Sequence, residues 1–221
     1  MQRTLNYGNR KKTMSHSQEN EEEIVLEYFK DFKGNLLSIG ENDGVILSNT
    51  RQLILDGWSA MLVEPCGRAF EKLADLYREN FSVQYVRCAI GTESGMVPFF
   101  ESAEHITPED TGLISTMIPD EIRKWKGSKF DNFTPTEVVC YTWDDFYKGF
   151  CDGEKFNFIA IDAEGMDWPI VQQMNLEESG CRCICVEFNS IPERKKQFED
   201  YFSKFKFKLI GVTYHNLIFA L

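Results

Sequence analysis

The stretch Leu36-Leu37-Ser38-Ile39-Gly40-Glu41-Asn42-Asp43-Gly44, continued past a helical run to Gly57 by Ala60-Met61-Leu62-Val63-Glu64-Pro65, decides how this chain folds. Two short apolar runs flank a polar, glycine-containing turn and a helix, and an acidic residue closes the second run. This is strand, turn, helix and parallel strand, the opening unit of an open α/β sheet. Ligands of such sheets sit beyond the carboxyl ends of the strands, and the first strand-to-helix turn lies closest to them. Gly40 and Gly44 lack a Cβ, which permits a sharp turn and a close approach to a ligand. The spacing predicts a helix directly behind the turn, aiming unpaired N–H groups at a carboxylate or phosphate. Glu64, twenty residues beyond Gly44, can accept hydrogen bonds from both hydroxyls of a ribose. A nucleoside-bearing cofactor is the expectation.

Glycine spacing narrows the cofactor. A dinucleotide turn needs G-x-G-x-x-G. The chain has Gly40-x-Asn42-x-Gly44 with no third glycine in place, which disfavours a nicotinamide-dependent dehydrogenase. Four linked blocks, Asn42-Asp43-Gly44-Val45, Ser48-Asn49-Thr50, Gly57-Trp58 and Val63-Glu64-Pro65, resemble the FkbM family of S-adenosylmethionine-dependent methyltransferases. Farther along, Thr142-Trp143-Asp144-Asp145 and Asp162-Ala163-Glu164-Gly165 are similar to the same family, so the resemblance spans roughly residues 35 to 221.

The resemblance implies an α/β class I methyltransferase (Rossmann-like) fold. Its sheet has seven strands in the order 3-2-1-4-5-7-6, helices on both faces and an antiparallel strand 7. It implies S-adenosyl-L-methionine as cofactor, with Gly40, Asn42 and Gly44 around its methionine part, Glu64 at the ribose, and Glu41 and Pro65 as further cofactor contacts. Cys88 and Ala89 then fall near the adenine, and Asp162 at the reacting end. The implied reaction is O-methylation of a small polar acceptor such as a sugar or glycan unit. Ser38 stands where the family usually has Asp, and Glu41 where it usually has Ala. The missing strand carboxylate motivates one alternative, a non-catalytic binding module that retains the fold.

Working outward, 221 residues suit one α/β domain with a few extensions. Hydrophobic content of 43% and aromatic content of 14% indicate a globular chain. No run of about 18 apolar residues is present, so no membrane span is expected. No apolar segment near the start suggests a secretory signal, and a cytoplasmic location follows as an expectation. A net charge of −11 repels a phosphate backbone and argues against non-specific nucleic-acid binding. The seven cysteines include Cys181, Cys183 and Cys185, which in a strand would share one face as small core thiols.

Residues 1–16 read as a basic, polar tail, and 17–221 as the methyltransferase-like domain. Ser17 is placed to cap a first helix with Ile24, Val25, Tyr28, Phe29 and Phe32 on one stripe and Gly34 at its end. Gly67 to Asn80 reads as the next helix and Phe81 to Ile90 as the third strand. Residues 102–134 break the α/β rhythm with Pro108, Gly112, Pro119 and Gly127. Their apolar Leu113, Ile114, Met117, Ile118 and Trp125 suggest a lid. Thr142 can cap a short helix, and 206–221 reads as a terminal hairpin around His215-Asn216.

The candidate chemistry lies at the strand ends. Asp162 closes a strand apolar on both faces, Glu187 closes the adjacent one, and Glu164 is close by in sequence. Together they predict an acidic mouth that can take a proton from an acceptor. Ser115 and Thr116 in the lid and His215 in the hairpin are candidate acceptor contacts. No spacing of His, Asp or Glu demands a metal, although a carboxylate cluster can hold Mg²⁺ weakly.

Overall fold

The computed structural model describes residues 16–103 and 111–221. The expected basic tail, apart from His16, and residues 104–110 of the expected lid lie outside the described residues.

The chain runs α1 (Glu21–Phe29), β1 (Asn35–Ile39), α2 (Arg51–Leu55), β2 (Ser59–Val63), α3 (Gly67–Tyr77), β3 (Val83–Val86), β4 (Ala89–Ile90) and β5 (Gly95–Ser102). It continues through α4 (Pro119–Trp125), β6 (Phe133–Tyr141), α5 (Trp143–Phe146), a π-helical turn (Tyr147–Cys151) and β7 (Phe158–Ile161). Then follow α6 (Asp167–Gln173), β8 (Cys183–Glu187), α7 (Pro192–Ser203), β9 (Lys208–Val212) and β10 (Asn216–Ala220).

Seven strands form the main sheet in the order β3-β2-β1-β7-β8-β10-β9. The running numbers differ from 3-2-1-4-5-7-6 because β4, β5 and β6 leave the main sheet and form a second one, ordered β4-β6-β5. Counted within the large sheet alone, the succession is the same. β1 pairs in parallel with β2 and β7, whereas β10 runs antiparallel to β8 and β9.

Strand alternation sorts the sheet's side chains into two cores. Leu37, Ile39, Met61, Val63, Ile159, Ile161, Ile184 and Val186 meet Trp143, Phe146, Ile170, Val171, Phe198 and Phe202 from α5, α6 and α7. On the other face Leu36, Ala60, Leu62, Phe158 and Ala160 meet Val25, Phe29, Leu53, Ile54, Leu73 and Tyr77 from α1, α2 and α3. Cys183 and Cys185 belong to this second core, but Cys181 lies before β8 and packs in the first. The three thiols therefore do not share one face.

Several boundaries differ from the sequence expectation. α1 starts at Glu21 and ends at Phe29, short of Gly34, and Phe32 is 40% exposed. Glu21 and Glu22, whose charge suits a helix N-terminus, are buried and serve as ties. The Glu21 carboxylate accepts from the Thr213 hydroxyl (2.7 Å) and the Asn216 amide (3.0 Å), which fastens α1 to the terminal hairpin. The expected third strand also divides. β3 stays in the main sheet, while Ala89 and Ile90 pair with Cys140 and Tyr141 of the small one.

The helix after the first turn is the most consequential difference. α2 begins at Arg51, seven residues past Gly44, and is only five residues long. Its first N–H groups are already taken: Gln52 N donates to Glu22 Oε1 (2.7 Å) and Arg51 N to Ser48 Oγ (3.0 Å). Any ligand at the turn must therefore be held by side chains and loop backbone, not by a helix terminus.

Candidate active site

Strand order reverses direction between β1 and β7, and a cavity of about 580 Å³ opens there beyond the carboxyl ends of the strands. Gly40, at the end of β1, is what brings the two strand ends together. Its φ is +84°, and a Cβ would overlap the carbonyl oxygen of Asp162 at the end of β7. Gly40, Glu41, Asn42, Glu64, Pro65, Cys88, Ala89, Asp162, Glu164, Glu187, Ser115 and His215 all line this cavity.

Two of the expected residues do not. Gly44 (φ +76°) faces α3, where a Cβ would press on Leu73, Tyr77 and Leu76, so its role is packing. Thr116 is buried, and its hydroxyl donates to the carbonyl of Glu164 (2.8 Å). It fastens the 111–118 segment to the loop after β7, while Ser115 lines the cavity.

The loop after β1 is pinned from within. Asn42 adopts a left-handed conformation (φ +56°), which Asn tolerates better than most residues, and its Oδ1 accepts from Asp43 N (2.9 Å) and from the Thr111 hydroxyl. Asp43 Oδ1 accepts from Val45 N and Ile46 N, both at 2.9 Å, and closes the turn. Glu64 braces it from β2, accepting from Asn42 N (2.9 Å) on one oxygen and Cys66 N (2.7 Å) on the other. Burial pushes the Glu64 carboxyl up to about 7 despite these two bonds, and the nearby Glu41 and Glu101 add to the rise.

Glu41 occupies the gap left by Ser38. Its buried carboxylate accepts from the hydroxyls of Ser48 (2.6 Å) and Thr50 (2.8 Å), with Ser38 beside it. The strand end that lacks an Asp thus regains a carboxylate from the next turn. Beside it, Asn49 Oδ1 is buried without a hydrogen-bond partner among the described residues, and Asn49 lines the cavity. Such a group costs roughly 1–3 kcal/mol unless a ligand donor satisfies it.

At the opposite wall, Asp162, Glu164 and Glu187 bring carboxylate oxygens within 4.8 Å of one another. At about 5 Å and an effective dielectric of about 20, each ionised pair repels by roughly 3 kcal/mol. Burial first, and then Asp167 and Glu64, raise the Asp162 carboxyl to about 7. Glu164 and Glu187 are raised well above the ordinary range by burial and by their carboxylate neighbours. Asp167 stands behind, accepting from Ala163 N (3.2 Å) and Gly165 N (3.3 Å), and shapes the loop that carries Glu164. A carboxyl that titrates near neutrality at a strand end is suited to exchange a proton with a bound acceptor.

His215 sits at the rim, its Nδ1 3.1 Å from Asn189 Oδ1. Asn189 and Ser190 are consecutive residues with φ +53°, an arrangement that holds the loop after β8 against the hairpin. The remaining wall comes from the small sheet and from α4, whose Trp125 was expected in the lid. Ile90 and Phe99 supply apolar surface, and Glu121, Lys124 and Trp125 of α4 close one side. Phe99 carries no signal in sequence because it joins the site only through the small sheet.

These features fit S-adenosylmethionine. Each Glu64 oxygen accepts one backbone bond and retains capacity for a ribose hydroxyl. Asn49 offers an unmet acceptor to a cationic amine, and Cys88, Ala89, Ile90 and Phe99 offer an apolar bed for a flat ring.

Comparison with known proteins follows the same line. Among solved structures, the chain is similar to Aeropyrum pernix fibrillarin in complex with S-adenosyl-L-methionine (12% identity, TM-score 0.47, covering 86% of this chain and 68% of that one). It is also similar to PH1948 of Pyrococcus horikoshii (9%, TM-score 0.46, 91% and 82%) and to the METTL16 methyltransferase domain (9%, TM-score 0.45, 90% and 81%). Likenesses this distant carry no argument about substrate. No curated protein matches the sequence significantly. Residues 38–209, most of the chain, match the profile of the methyltransferase FkbM domain. With Glu64, the acidic wall and all of the cavity's lining but Gln18 and His215 inside the matched span, the chain belongs to the FkbM methyltransferase family, whose cofactor is S-adenosylmethionine.

Proposed function

We propose that the enzyme methylates a hydroxyl oxygen of a small polar acceptor such as a sugar or glycan unit. The observation that supports this most is Asp162, a half-buried carboxyl raised to about 7 and facing a cavity with one acidic and one apolar side. A carboxyl in that range can accept a hydroxyl proton as the oxygen reacts, a contribution of about 10²–10⁴-fold.

S-adenosylmethionine supplies, when bound, a methyl group on a positively charged sulfur. Glu64 holds the ribose, and Gly40, Glu41, Asn42 and Asn49 hold the methionine part. Pro65, Cys88, Ala89 and Ile90 take the adenine. Asp162 receives the acceptor proton, with Glu164 and Glu187 keeping its environment acidic. Ser115 and His215 orient the acceptor from the lid and the rim, and the lid around residues 111–125 excludes water.

Methyl-tritiated S-adenosylmethionine, incubated with the protein and a panel of sugars, amines and carboxylic acids, tests the reading. Label should appear in ethers, and Asp162→Asn should stay folded while its turnover drops at least about 100-fold. Label confined to nitrogen or to esters, or an Asp162→Asn enzyme of near-normal turnover, would overturn it.

A further inference from the structure

The three carboxylates at the acidic wall are poor in partners. Glu187 is 94% buried, being 6% exposed, and its Oε2 has no hydrogen-bond partner among the described residues. The cations that bear on the cluster are Lys124, which lowers Glu164, and Arg194, which lowers Glu187. Both are engaged elsewhere: Lys124 pairs with Glu121, and Arg194 lies 3.6 Å from the other oxygen of the same Glu121. No described Lys, Arg or His forms an ion pair with Asp162, Glu164 or Glu187.

Three carboxylates within 4.8 Å of one another, one of them buried and unpartnered, can be reconciled in two ways. The cluster can hold extra protons, or it can hold a cation. The ligand atoms are all carboxylate oxygens, which suit hard ions and exclude the softer metals that prefer sulfur or imidazole. The cluster faces a cavity large enough to admit water and part of an acceptor, and a Mg²⁺-like ion keeps such non-protein ligands. A surface run of acids lacks these features. Here Glu187 ends β8 and pairs with Asn216 of β10, Asp162 directly follows β7 with its N–H on the Ile39 carbonyl (2.9 Å), and Glu164 lies in the loop beyond, its carbonyl held by the Thr116 hydroxyl (2.8 Å).

We propose that Asp162, Glu164 and Glu187 form a binding site for one hard divalent cation of the Mg²⁺ or Mn²⁺ type. An ion there neutralises the wall and makes Asp162 a ligand, so the proton-accepting role given to Asp162 above belongs to the ion-free wall. The ion's part in catalysis rests on the O-methylation reading, whereas its binding does not.

The experiment uses the full chain, stripped with EDTA and dialysed. Mn²⁺ binding is followed by loss of the free-ion electron paramagnetic resonance signal, with S-adenosylmethionine affinity measured by calorimetry on the same samples. One saturable Mn²⁺ site per chain, displaced by Mg²⁺, is expected. Glu187→Gln and Glu164→Gln should each weaken it by more than the roughly tenfold that loss of an outer partner costs. Glu164 is half-buried and tolerates the change, so that variant keeps the test decisive should Glu187→Gln not fold. Absence of a saturable site at millimolar Mn²⁺, or one unchanged in the folded variants, overturns the proposal. Loss of cofactor binding with the Mn²⁺ site intact would fault the methyl-donor reading alone. Cofactor binding without a Mn²⁺ site would fault this proposal alone.

Discussion

Glu64 shows how one residue serves both fold and site. Its two backbone bonds join the end of β2 to the loop after β1, yet burial holds its carboxyl near 7, with Glu41, Glu101 and Asp162 adding negative charge around it. The folded value lies above the ordinary 4.5, so the folded protein binds more protons than the unfolded chain between those pH values. Stability from this group is therefore full below about 4.5 and is lost as pH rises to about 7, by roughly 3 kcal/mol at most. Urea midpoints at pH 5 and pH 8 should differ less in Glu64→Gln than in the wild type, and equal differences would remove Glu64 as the cause. Gly40 makes a second case at this scale. Adding a Cβ at φ +84° against the Asp162 carbonyl should cost at least about 2 kcal/mol in Gly40→Ala, read as a lower denaturant midpoint. A variant of wild-type stability would mean the strand ends can part.

Among the elements, the segment from Gly112 to Trp125 walls one side of the cavity. It reaches the main body through Thr111 on Asn42, Thr116 on Glu164 and the Phe100–Thr116 bridge, and α4 itself buries no residue fully. An element tied by these contacts and by Glu121 beside Arg194 (3.6 Å), and half-exposed along its helix, can move without disturbing either core. Trp125→Ala should raise the acceptor KM roughly tenfold while S-adenosylmethionine affinity stays within a factor of about two. Equal losses in both would show that α4 belongs to the cofactor half. The segment was legible as an interruption of the α/β rhythm with apolar residues in it. Its pairing with Phe100 was not, because that contact needs the small sheet. The Glu21–Glu23 run likewise reads as a charged helix start, and nothing local reveals that two of these residues are tied inside the protein by Thr213, Asn216 and Gln52.

For the whole molecule, the large sheet was readable because its central parallel strands are apolar on both faces and the chain ends in a hairpin, which turns at 213–215. The glycine spacing and the Glu64 offset carried the cofactor side of the cavity for the same reason: both are local. Gly44 and Thr116 misled because residue type and spacing cannot say which side of a loop a residue faces. The cavity wall built by Ile90, Phe99 and α4 depends on a sheet that forms only when β4, β5 and β6 leave the main one. Glu64 lies where these parts converge, so the most direct measurement is calorimetric titration of S-adenosylmethionine into wild-type and Glu64→Ala protein. Wild type should bind one equivalent, and the folded variant should bind about ten- to a hundredfold more weakly, the loss of a charge-assisted pair of hydrogen bonds. Unchanged affinity in a folded Glu64→Ala protein would contradict the assignment of this cavity to the cofactor.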